Sequence, residues 1–107
     1  MKVTSADGGF TATADAVDGA AAYVFHVTPV GKTGPSNATI MFYSETPSIT
    51  VPADTASRNV GDKIYVYAQA SPFVGQGADN TAKAEWLNEH NDGTESAWSS
   101  GVSVTIA

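Results

Sequence analysis

Between the turn pair Gly61-Asp62 and Pro72 the chain reads Lys63-Ile64-Tyr65-Val66-Tyr67-Ala68-Gln69-Ala70, with side chains that change character at every step. A period of two belongs to a β-strand, whose successive side chains leave opposite faces. Ile64, Val66, Ala68 and Ala70 share one face, and Lys63, Tyr65, Tyr67 and Gln69 share the other. Pro72 closes the run, because proline donates nothing to a sheet ladder. The chain is organised around this strand, and its other segments supply strands to pack about it.

Those segments follow the same chemistry. Lys2 to Ser5 forms a short first strand ended by Asp7-Gly8-Gly9, and Phe10-Thr11-Ala12-Thr13-Ala14 alternates apolar and hydroxyl side chains. Asp18-Gly19 signals a turn. In Ala22 to Thr28, Tyr23, Phe25 and Val27 oppose Ala22, Val24 and His26, and Pro29 ends the run. Ala38 to Tyr43, Ser48 to Val51 and Gly101 to Ala107 read as further strands, while Ala53 to Asn59 has no clear period. One stretch breaks the pattern. Thr81 to His90 is rich in helix formers, with Asp79 or Asn80 to cap its start and Gly93 to stop it. The expectation is an all-β, antiparallel two-sheet Greek-key sandwich of six or seven strands. One short helix lies in the long loop before the last strand, and residues 1–107 form a single domain.

Composition agrees. Leucine occurs once, at Leu87, among abundant alanine, threonine, serine, valine and glycine, which suits thin sheets and not a helix bundle. The formal net charge of −6 argues against phosphate backbones and anionic lipid heads as partners, so neither nucleic acid nor membrane insertion is expected. The chain has no cysteine, which rules out disulfides and thiolate chemistry. No apolar run reaches the roughly 20 residues of a membrane-spanning helix. Polar and acidic residues follow Met1-Lys2-Val3-Thr4 at once, unlike a secretory leader, and the chain reads as a domain cut from something longer.

Three segments together resemble fibronectin type III-like domains. Phe10 to Phe25 looks like the second strand, turn and tyrosine-bearing third strand of that family. Val60 to Ala70 is similar to its sixth strand with the preceding glycine corner, and Gly93 to Thr105 to its last turn and strand. Two departures stand out. The family's buried tryptophan would fall at Ala14 and its corner tyrosine at Ile64, so the corner hydrogen bond is expected to be missing. Phe10, Tyr23, Phe42 and Trp98 are the expected core fillers. The loop before the last strand is also longer than is usual in the family, which leaves an immunoglobulin-like variant open.

Catalytic motifs are weak. No nucleophile elbow occurs, His26 falls mid-strand and His90 in the long loop, and Glu85 and Glu89 would lie one turn apart as a solvated pair. Asp92-Gly93-Thr94-Glu95, with Asp79 and Asn80, offers oxygen ligands but lacks the spacing of a calcium loop, so no metal and no cofactor is expected. The segment from Pro72 to Ser100 is more informative, since a loop that long in a small sandwich is often functional. It carries Phe73, Trp86, Leu87 and His90, and the resemblance implies a recognition role for it. The competing reading is that Trp86 and Leu87 fold back and pin the helix to a sheet. Tyr65 and Tyr67 form an aromatic strip, extended by Met41 and Tyr43, or simply stabilise the sheet as cross-strand pairs.

The sequence therefore points to a non-catalytic interaction or spacer module. Its small residues, lack of cysteine and acidic surface resemble the appended surface domains of bacteriophage virion proteins, especially those following tail-tube subunits. That resemblance implies virion-surface or extracellular display, with weak adhesion to a host-cell polysaccharide or protein. The alternatives are an accessory or carbohydrate-binding module of a secreted bacterial polysaccharide-degrading enzyme or adhesin, and a small hydrolase using loop carboxylates.

Overall fold

The run from Lys63 to Ser71 forms a strand, and Ile64, Val66, Ala68 and Ala70 on its apolar face are all buried, while Tyr65, Tyr67 and Gln69 are partly exposed. The computed structural model that establishes this describes residues 1–28, 40–53, 59–90 and 101–107. In chain order the elements are β1 (Lys2–Ala6), β2 (Gly9–Thr13), β3 (Ala22–Val27), β4 (Ile40–Ser44), β5 (Ser48–Val51), β6 (Lys63–Ser71), α1 (Asn80–His90) and β7 (Val102–Thr105). They make two antiparallel sheets, a three-stranded one in the order β1-β2-β5 and a four-stranded one in the order β4-β3-β6-β7. The expected two-sheet sandwich is the observed one.

The sheets meet over a shared core. Phe10 and Ala12 of β2 and Ile49 and Val51 of β5 pack with Tyr23, Phe25 and Val27 of β3 and the apolar face of β6. Phe10 and Phe42 bridge the layers edge to face, with ring centroids 6.1 Å apart at 79°. Burial of each large side chain here contributes about 1.5–3 kcal/mol. Of the expected core fillers, Phe10 and Tyr23 are buried and Phe42 is partly so, while Trp98 lies outside the described residues. Ile64, at the position where the resemblance expects a corner tyrosine, is fully buried. Its aliphatic side chain brings no hydroxyl to that corner.

The two flanks of the sandwich differ. On one, Ser5 Oγ donates to Gly9 O at 2.6 Å and accepts the Ala107 N–H at 2.9 Å, and the Gly8 N–H donates to Ala107 O at 2.6 Å. These bonds fasten the start of the chain to its last residues. On the other flank, edge strands β4 and β5 border an open cleft of about 440 Å³, with Asn80 and Thr81 of α1 at its lip. At the base of β6, Gly61 adopts φ +95°, which glycine reaches without penalty, and its N–H donates to Ile106 O at 2.8 Å.

Candidate interaction surface

An isolated helix of 11 residues is marginal in water, so α1 depends on what it packs against. Asp79 starts it, its Oδ1 accepting the Ala82 N–H at 2.8 Å, while Asn80 is already its first residue. Ala84 and Leu87, three positions apart and so on one face, are fully buried against Ala22, Val24 and Tyr43 on the outer side of the four-stranded sheet. Met41 and Trp86 border this second cluster.

Tyr43 is its hub. The hydroxyl donates to Glu45 Oε2 at 2.8 Å and accepts the Gly75 N–H at 3.0 Å, while Lys83 Nζ sits 5.6 Å from the ring centroid. Burial pushes the phenol's pKa above its usual 10.0, helped by the hydrogen bond to Glu45, while the Gly75 N–H acts the other way. Gly75 must be glycine for packing reasons, since a Cβ there would fall 2.5 Å from the Lys83 carbonyl oxygen. One side chain thus ties a strand, the loop after β6 and the helix together.

The residues singled out from sequence separate into four places. Leu87 is buried at 0% exposure and pins the helix, which is the competing reading given for it above. Trp86 is half-buried and stacks on exposed His90, centroids 4.3 Å apart at 13°. His90 Nδ1 lies 2.8 Å from the Trp86 carbonyl, an acceptor, so this nitrogen carries the proton. Phe73 is exposed in the loop between β6 and α1. Tyr65 and Tyr67 do share the outer side of β6, but they are no open strip. Lys63 Nζ lies 5.8 Å from the Tyr65 ring centroid, and a Cβ on Gly101 would fall 2.5 Å from Tyr67 Cζ. The proposed extension through Tyr43 fails as well, because that ring packs in the cluster beneath α1.

Glu85 and Glu89 are exposed, as a solvated pair is. Among the described residues no group of three histidine, aspartate or glutamate side chains is placed to hold a metal ion; Asp92 and Glu95 lie outside them. His26 is buried on the outer side of β3, and burial pushes its pKa below 6.5.

Sequence reasoning passed over Val17 and Val74. Both are large apolar side chains left exposed, at 45% and 48%, close in value to Phe73 at 44%. A signal was present, because Phe73-Val74 is an apolar pair inside a loop and Val17 immediately precedes the Asp18-Gly19 turn. Compared with known proteins, the chain matches no family model, no curated sequence and no solved structure.

Proposed function

We propose that this chain is a non-catalytic interaction or spacer module of fibronectin type III-like, Greek-key build, displayed on a virion surface or otherwise outside a cell. A three-stranded sheet β1-β2-β5 packed on a four-stranded sheet β4-β3-β6-β7, seven strands among the described residues, supports the likeness in shape. The observation that carries the reading is α1. Among the described residues the inter-sheet core contains none from the helix, so the helix is an added layer with a small core of its own. It presents the stacked Trp86–His90 pair at its surface, and flat aromatic rings suit the apolar faces of sugar rings. The job assigned to it is weak adhesion to a cell-surface glycan. The virion setting rests on analogy of fold and composition.

Titration with a panel of cell-wall polysaccharides, followed by tryptophan fluorescence, tests the adhesion. A saturable change in the wild-type chain is the expected result, with the binding heat of the same polysaccharide lost in Trp86→Phe by calorimetry, and silence of the wild type with every polysaccharide would sink it. The parent reading frame tests the setting. A tail-tube or capsid domain encoded next to this one supports display on a virion, whereas a glycosidase domain there favours a module of a secreted enzyme.

A further inference from the structure

Three loops meet at the end of the sandwich where β2 and β6 finish. They are residues 14–21 between β2 and β3, residues 45–47 between β4 and β5, and residues 72–79 between β6 and α1. Hydrogen bonds lace them together. The Ala14 N–H donates to Pro47 O at 2.7 Å and the Ala21 N–H to Ser71 O at 2.8 Å. The Phe73 N–H donates to Ser71 Oγ at 3.2 Å, and Tyr43 fastens Gly75 to Glu45. Val17 is fixed in the same way: its N–H donates to the hydroxyl of core residue Tyr23 at 2.9 Å, and its carbonyl accepts the Ala20 N–H across a turn with Gly19 at φ +81°.

Val17, Phe73 and Val74 are therefore exposed on fixed backbone. Val17 and Pro72 wall the same small pocket, which brings the loop of Val17 beside the start of the loop that carries Phe73 and Val74. Large apolar side chains presented together on a preorganised surface mark a contact site, because little ordering entropy remains to be lost on binding. The charge around them is of one sign. Asp15, Asp18, Glu45 and Asp79 lie on these three loops, all exposed, and the loops carry no lysine or arginine. The nearby cation, Lys83, lies against the Tyr43 ring.

We propose that this end of the sandwich binds a protein segment in which lysine or arginine flanks an aromatic or aliphatic side chain. Such a segment seats its apolar group on Val17, Phe73 and Val74 and sets its cations against the acidic rim, and that complementarity governs partner choice and encounter rate. A second copy of this chain fits badly, since like ends would bring the same carboxylates together. An anionic membrane is repelled for the same reason. The inference rests on the reading of the chain as a recognition module, but it uses a surface separate from the Trp86–His90 stack.

The test is selection of a random-sequence peptide library on the immobilised chain, followed by NMR shift mapping of the enriched peptides. Enrichment of lysine or arginine beside an aromatic or aliphatic residue is expected, with shifts confined to residues 14–21, 45–47 and 72–79. Affinity should fall about tenfold or more in the F73S/V74S variant, as for an interface anchor. In D15K/D18K the selected charge should shift toward glutamate and aspartate. All four positions are exposed, so both variants should fold like the parent chain. Peptides without a charge preference, peptides indifferent to both variants, or no enrichment at all would each overturn the proposal. So would a polysaccharide that moves the same loop resonances, or self-association abolished by F73S/V74S. Glycan binding lost in Trp86→Phe but intact in F73S/V74S leaves the adhesion reading standing even if the peptide selection fails.

Discussion

The described residues form two apolar clusters, one between the sheets and one beneath α1, and they are built on different principles. The inter-sheet core draws buried side chains from β2, β3, β5 and β6, together with Ile106, so no single residue carries it. The outer cluster has Ala22, Val24, Tyr43, Ala84 and Leu87, and only the last two belong to the helix. The first follows from alternation repeated along many strands, whereas the second hangs on the sole leucine of the chain and one tyrosine hydroxyl. Stability in such an arrangement should be uneven, with the helix able to open while the sandwich stays closed.

Truncation in each cluster tests that contrast most directly. Phe25 is fully buried in a strand paired on both sides, so Phe25→Ala should cost about 3–5 kcal/mol and lower the unfolding midpoint of the whole domain in urea. Leu87→Ala should cost about 2–4 kcal/mol, but spent on the helix alone. Circular dichroism should lose its α component while amide protons of β3 and β6 keep their exchange protection. If both sets exchange together, the two clusters are one cooperative unit and the contrast is wrong.

Tyr43→Phe is a finer cut. It keeps the ring under Lys83 but leaves the Gly75 N–H without its acceptor, at a cost of about 1–2 kcal/mol. Hydrogen exchange should quicken at Gly75 and along α1, and unchanged exchange there would remove Tyr43 from its place as hub. The smallest effect belongs to His26. Its folded-state pKa lies below 6.5, so the unfolded chain binds the proton more readily than the folded one. Stability is then complete above pH 6.5 and declines as pH falls from there toward the folded-state value. His26→Gln should flatten that part of a plot of urea midpoint against pH, and an unaltered slope would show that protonation of His26 is not coupled to unfolding.

Much of the sandwich was legible because the relevant signal is local. Alternation separated the two faces of β3 and of β6, Asp18-Gly19 marked its turn, and Asp79 was one of the two residues expected to cap the helix. The candidate site was less legible. Leu87 has the same side chain whether it pins a helix or meets a partner, and only the sheet surface of Ala22 and Val24 beneath it decides between them. Tyr43 looked like part of an exposed strip because nothing adjacent in sequence shows that Gly75, 32 residues later, donates to its hydroxyl. Val17 and Val74 escaped notice because exposure of an apolar residue belongs to the folded surface and not to a sequence pattern.

What the sequence determined by itself is the period-two patterning, the turns and the start of the helix. Steric and hydrogen-bonding preferences over a few residues are enough to set these. Which strands pair, where α1 lies and which apolar side chains remain in water were decided by the tertiary structure alone. Those outcomes depend on contacts between residues far apart in the chain, whose free energy exists only once both surfaces are in place.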